Sequence, residues 1–247
     1  MSYGVKLSVT VKLKQTTFFC FSPPVMVATF LVEISLLAYT LWRYKMSPLT
    51  RLAAITLSFL AIFQLAEYNV CGGMGLHAAT WSRVGYVSIT LLPALGFQLT
   101  HQIVGRAMNR WQALAYASVG LWIAVFGFSE RAFTGYVCGG NYIIFQLKSP
   151  LGGLFFVWYY AWLLATMLLA LRFIKTSNQK FHRALQAQII GYSLFMVPTG
   201  IINIMYPNTM SGIPSIMCGF AVLFALTIVL GIMPIEKERV QSVKLPS

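Results

Sequence analysis

The chain contains no aspartate and only five glutamates among its 247 residues. Charged residues make up 9% and hydrophobic residues 58%, where a soluble domain carries about 25% charged and about 45–50% apolar residues. So few charges could hardly cover a water-soluble globule of this length, and so apolar a chain is not a disordered one. Four cysteines with no CxxC spacing exclude a disulfide-dense scaffold and give no metal site. The three histidines, His77, His101 and His182, fall on opposite sides of the topology derived below. Without aspartate they cannot assemble a zinc hydrolase or a Ser-His-acid set. The last hydrophobic run has no lysine, which excludes a retinal Schiff base there. No low-complexity linker, soluble domain or internal repeat is visible, and the missing repeat counts against an inverted-repeat transporter. An enzyme is not expected, and neither a metal nor a cofactor.

What the sequence does have is long apolar runs. A membrane-spanning helix needs about 20 mostly apolar residues. Seven segments qualify: Val25–Arg43, Arg51–Val70, Ser82–Val104, Trp111–Phe128, Gly152–Phe173, Leu185–Met205 and Gly212–Pro234. They are hydrophobic all round rather than alternating, which favours helices over barrel strands. The expected fold is an all-α bundle of seven transmembrane helices over 25–234, with an N-terminal tail (1–24) and a short C-terminal tail (235–247).

The net charge of +13 sits in short clusters between the runs, not on a soluble face, so nucleic acid is not an expected partner. One set of gaps holds Arg43, Lys45, Arg51, Arg106, Arg110, Arg172, Lys175, Lys180, Arg183, Lys237, Arg239 and Lys244; the opposite set holds Arg83, Arg131 and Lys148. The positive-inside rule makes the first set cytoplasmic and puts the N-terminus outside. A plasma membrane, bacterial or archaeal, is the expected location, with the lipid bilayer as first partner. Lys6, Lys12 and Lys14 sit on the wrong side for this rule. The tail lacks the features of a signal peptide, and two readings stand open: a short exported tail, or residues ahead of a true start at Met26.

Two carboxylates lie within spans: Glu33 near the middle of the first, and Glu67 near the outer end of the second. A charge in the bilayer core costs about 2.5–3.5 kcal/mol on insertion scales, so such groups face the bundle interior and take a partner. Arg83 begins the third span one short loop after Glu67, which suggests an ion pair. Gln64 lies one turn below Glu67 on the same face, and Tyr86 one turn beyond Arg83. Glu33, Gln64, Glu67, Arg83 and Tyr86 are the candidate ligand-binding residues; a structural ion pair fixing helix packing is the competing reading. Cys71 and Cys138, each followed by Gly-Gly, both fall on the outer side, where a disulfide is permitted; a bridge and two separate thiols are both open. Trp42, Trp81, Trp111, Trp158 and Trp162 fit interfacial belts, though Trp158 and Trp162 also suit a ligand pocket. Pro93, Pro198 and Pro214 are candidate kinks, and Gly191, Gly200 and Gly219 candidate close approaches.

The third span reads Trp81-Ser-Arg83-Val-Gly-Tyr86-Val-Ser-Ile-Thr-Leu-Leu-Pro93-Ala-Leu-Gly-Phe-Gln. With its Trp-x-Arg start and Leu-Pro pair, this segment resembles the seven-helix N-terminal membrane sensor region of bacterial histidine kinases. The resemblance implies a sensor module with an outer ligand site and a cytoplasmic output. Such kinases continue into catalytic domains, whereas this sequence stops at Ser247, so a separate cytoplasmic signalling protein would have to receive the signal. The resemblance assigns no role to Arg83 or Pro93, the residues that match. The expected function is thus a receptor-like module that binds a small molecule from the outer side. The alternative is a small proton- or ion-coupled transporter using Glu33 and Glu67.

Overall fold

The computed structural model describes residues 23–72, 75–129, 132–138, 143–205 and 213–236. Most of both expected tails, with Lys6, Lys12, Lys14, Cys20, Lys237, Arg239 and Lys244, lies outside these residues, as does Arg131. Among the described residues there are seven α-helices: α1 (Pro23–Arg43), α2 (Pro48–Gly72), α3 (Ala78–Ile103), α4 (Arg110–Phe128), α5 (Leu151–Thr176), α6 (His182–Met205) and α7 (Ile213–Thr227). Six of them are long and apolar enough to cross a membrane, α7 counting together with its continuation to Glu236. The exception is α3, and its packing gives the reason. It carries sixteen buried residues, among them Ser82, Ser88, Thr90, Thr100 and His101. A helix surrounded by other helices needs no apolar face toward lipid. Its buried hydroxyls bond to the carbonyl one turn back, as Ser88 does to Val84 and Thr90 to Tyr86. By contrast α1 buries little beyond the stripe Met26, Thr29, Glu33 and Thr40, and turns Leu31, Val32, Ile34 and Leu41 outward.

Local sequence explains where the helices stop. Gly105, at φ 72°, follows the last residues of α3. Its N–H reaches Gln102 O and that of Arg106 reaches His101 O, the paired bonds of a Schellman motif, which favours glycine at the left-handed position. Asn109 then caps α4: its side chain accepts from the N–H groups of Trp111 and Gln112, and the Gln112 side chain accepts from the Asn109 N–H. Short connections of this kind make successive helices antiparallel. One end of the bundle therefore collects Arg43, Lys45, Arg51, Arg106, Arg110, Arg172, Lys175, Lys180 and Arg183, and the other His77, Arg83 and Lys148.

Four expectations need correction. The stretch between the fourth and fifth apolar runs, expected only to connect two spans, contains an antiparallel hairpin of β1 (Phe133–Cys138) and β2 (Ile143–Leu147). Residues Phe133 and Phe145 pack on the bundle end, so the hairpin works as a cap. Pro214 does not kink the last span: it is the second residue of α7, in a first turn where its missing N–H costs nothing. Pro93 and Pro198 do lie inside α3 and α6. The last span is not one uniform helix either, since Ile228–Ile232 forms a π-helical turn. Finally, Gly200 meets no neighbour, whereas a Cβ on Gly191 would collide with Phe224 and Thr227 of α7. Only Gly191 of that pair permits a close helix crossing.

Candidate functional site

The end of the bundle opposite the basic one holds the polar residues that the packing does not fully absorb. Cys71, near the end of α2, is joined by a disulfide to Cys138 at the end of β1. The bridge ties the hairpin to the bundle, and beneath the hairpin lies Tyr86. Its ring is fully buried, with the rings of Phe126, Phe133, Phe145 and Phe155 at centroid distances of 5.0, 5.2, 5.3 and 5.6 Å. These separations suit edge-on and tilted aromatic packing. The hydroxyl at the tip of this ring has no hydrogen-bond partner among the described residues.

Beside Tyr86, α1, α2 and α7 bring a polar cluster together. Glu67 of α2 is buried, and its Oε1 accepts a hydrogen bond from the Ser215 hydroxyl. Ser215 lies in the first turn of α7, so Glu67 faces the N-terminal end of that helix, where the dipole favours negative charge. One turn along α2, Gln64 donates from Nε2 to the Cys218 carbonyl at 2.8 Å. Glu33 of α1 is 0% exposed, and neither of its oxygens has a hydrogen-bond partner among the described residues. It stands close enough to Glu67 and Cys218 to interact with both electrostatically. Val25, Met26, Thr29, Gln64, Glu67 and Ser215 line a crevice with space for about one water-sized sphere. Glu33 is on the same buried stripe of α1 as Met26 and Thr29, one turn deeper.

The structure therefore brings four of the five candidate residues, Glu33, Gln64, Glu67 and Tyr86, into one neighbourhood; Tyr86 also interacts electrostatically with Glu67. The expected Glu67–Arg83 ion pair is not formed. Glu67 takes Ser215 instead, and Arg83 is half-buried on α3. A short connecting loop put the two near one another in sequence, but the rotation of α3 about its axis turns Gly85 and Tyr86 inward in place of the arginine. Sequence reasoning missed Thr29 and Ser215. The only signal for them was a small hydroxyl residue one turn from Glu33 and another directly after Pro214.

Trp158 and Trp162 are not simply interfacial. Trp158 Nε1 donates to Ser118 Oγ at 3.0 Å, and Trp162 packs edge-on against Phe97. They join α5 to α4 and α3. A second crevice, lined by Leu60, Tyr159, Tyr192, Met217 and Cys218 among others, is almost wholly apolar. No group of three or more His, Cys or Glu among the described residues is arranged to hold a metal ion in the usual way. The chain matches no family model, and no curated protein matches it.

Proposed function

We propose that this chain is a seven-span sensory module of a cell membrane, with the disulfide end outside, that binds a small ligand at the Glu33–Glu67 cluster. The single observation that carries the reading is Glu33: a fully buried carboxyl whose two oxygens have no hydrogen-bond partner among the described residues, beside a second buried carboxyl. Leaving such a group unsatisfied is expensive, and a ligand that engaged it would recover that energy. The charge asymmetry supports the orientation, since the basic end would face the cytoplasm. The crevice among α1, α2 and α7 suits a ligand of ion size better than a metabolite. Binding there would bear on α7, whose π-helical turn at Ile228–Ile232 lies toward the basic end. A shift of α7 would be read at that end by a separate signalling protein. The resemblance of the third span to histidine-kinase sensor regions fits this role. The orphaned Glu33 at mid-length of α1 also suits an ion-coupled transporter, the second reading.

A stability screen tests the proposal. The purified chain in detergent is titrated with ions, protons and small metabolites, beside Glu67→Gln. A ligand that binds only the folded state adds RT ln(1 + [L]/Kd), about 2.7 kcal/mol at a hundredfold excess. At least one ligand is expected to raise the melting temperature of the wild type and not of the variant. Absence of any Glu67-dependent ligand overturns the reading. Uptake into proteoliposomes driven by an ion gradient, and lost in Glu33→Gln, would favour the transporter.

A further inference from the structure

The chemistry of the crevice names the ligand more closely. Four of the residues that line it carry oxygen: Thr29 and Ser215 a hydroxyl, Gln64 an amide and Glu67 a carboxylate, beside the apolar Val25 and Met26. Several of the hydrogens these groups could offer point elsewhere. Thr29 donates to Met26 O at 2.9 Å, Gln64 donates to Cys218 O, and Ser215 donates to Glu67 itself. What these four side chains have left to offer a ligand is therefore mainly lone pairs. Glu33, one turn deeper on the same stripe of α1 and outside the lining itself, holds two further oxygens with no hydrogen-bond partner among the described residues. A carboxylate, two hydroxyls and an amide oxygen around a water-sized space form a hard-donor set of the kind that holds hard cations.

We propose that this crevice binds a dehydrated monovalent cation of sodium size, held by Thr29, Gln64, Glu67 and Ser215 with Glu33 beneath it. Size and donor number select against the alternatives. Magnesium keeps several of its waters, and a space for about one water-sized sphere does not admit them. Calcium takes six to eight oxygens, more than these four side chains supply. A soft or borderline metal would call for thiolate or imidazole ligands, and no cysteine or histidine lines the crevice. The cation also supplies the positive charge that Arg83 does not bring to Glu67. In this way the ion adds a polar link to the packing of α1 on α2 and α7.

This inference rests on the ligand-binding reading above, and the test separates the two. The melting temperature of the full chain in detergent is measured in sodium, lithium, potassium or choline chloride at one ionic strength. Wild type is compared with Glu67→Gln and Ser215→Ala. The expected result is stabilisation by sodium over choline in the wild type and none in Glu67→Gln. Ser215→Ala, a milder change, should need about tenfold more sodium for half the effect, the equivalent of about one lost hydrogen-bond-sized interaction. Equal stability in sodium and choline overturns the cation, as does an equal sodium effect in wild type and Glu67→Gln. Should the cation fail while a proton or another ligand stabilises only the wild type, the sensory reading stands with a different ligand. If Glu67→Gln does not fold, radioactive sodium binding to wild type and Ser215→Ala decides the matter by the same tenfold displacement.

Discussion

Toward the basic end of the bundle, Gln188 of α6 donates from Nε2 to the Gly96 carbonyl at 3.0 Å and to Thr100 Oγ1 at 2.9 Å. Near it, the buried His101 bonds through Nδ1 to Phe97 O and through Nε2 to Asn109. Toward the disulfide end, Glu33 has no hydrogen-bond partner for either oxygen, and Tyr86 none for its hydroxyl, among the described residues. Gln188 leaves over one acceptor, its Oε1, but a neutral amide costs less to bury than an ionisable carboxyl. Buried polarity at the basic end joins helices α3 and α6. At the other end it is in excess of what packing uses, and excess of this kind is what binding consumes.

Substitutions can break that contrast, and the largest effect is expected at Tyr86. Tyr86→Ala empties the middle of four aromatic rings and should cost about 3–5 kcal/mol, read as a fall in thermal midpoint. Tyr86→Phe removes only the unpartnered hydroxyl and should be neutral or stabilising. A strongly destabilised Tyr86→Phe would mean that the hydroxyl is engaged after all. Next comes Gln188→Ala, which strips the donor from Gly96 O and Thr100 and should cost about 1–3 kcal/mol. The smallest effect is expected from Glu33→Gln in choline chloride, with no candidate cation present. Replacing an isolated buried carboxyl by an amide of the same shape should raise stability by less than about 1 kcal/mol, as calorimetry or thermal scanning can measure. A loss as large as that of Gln188→Ala would put Glu33 among the structural groups and erase the difference between the two ends.

Much of the fold was readable in the sequence because helix formation across an apolar run is a local property. The seven runs coincide with α1–α7 to within a few residues, the last when α7 is counted with its π-helical turn at Ile228–Ile232, and Pro48, Gly105 and Asn109 mark ends through their own backbone preferences. The hairpin could have been found. Phe133, Tyr136 and Val137, then Ile143–Phe145, flank Cys138-Gly-Gly-Asn141, and β-branched and aromatic residues around a glycine turn are a hairpin signal. It was hidden by the expectation that segments between spans are loops.

The candidate site was readable only in half. Glu33 and Glu67 stand out because carboxylates within apolar runs are costly, whatever surrounds them. Their partners could not be foreseen. Ser215 is 148 residues from Glu67 and Cys218 is 154 from Gln64, and no local rule links such positions. Arg83 was the nearest cation in sequence, yet a helix presents one side inward, and the packing of Gly85 and Tyr86 decided which.

Taken alone, the sequence determined the helices, the segregation of positive charge to one end and the presence of two misplaced carboxyls. All three depend on the hydrophobicity and charge of neighbouring residues along the chain. Only the tertiary structure decided that Glu67 meets the first turn of α7, that Glu33 meets no donor, and that Tyr86 sits under a disulfide-tied cap. Those outcomes depend on how each helix is rotated against the next. That rotation is chosen by the packing of the whole bundle rather than by any stretch of residues within it.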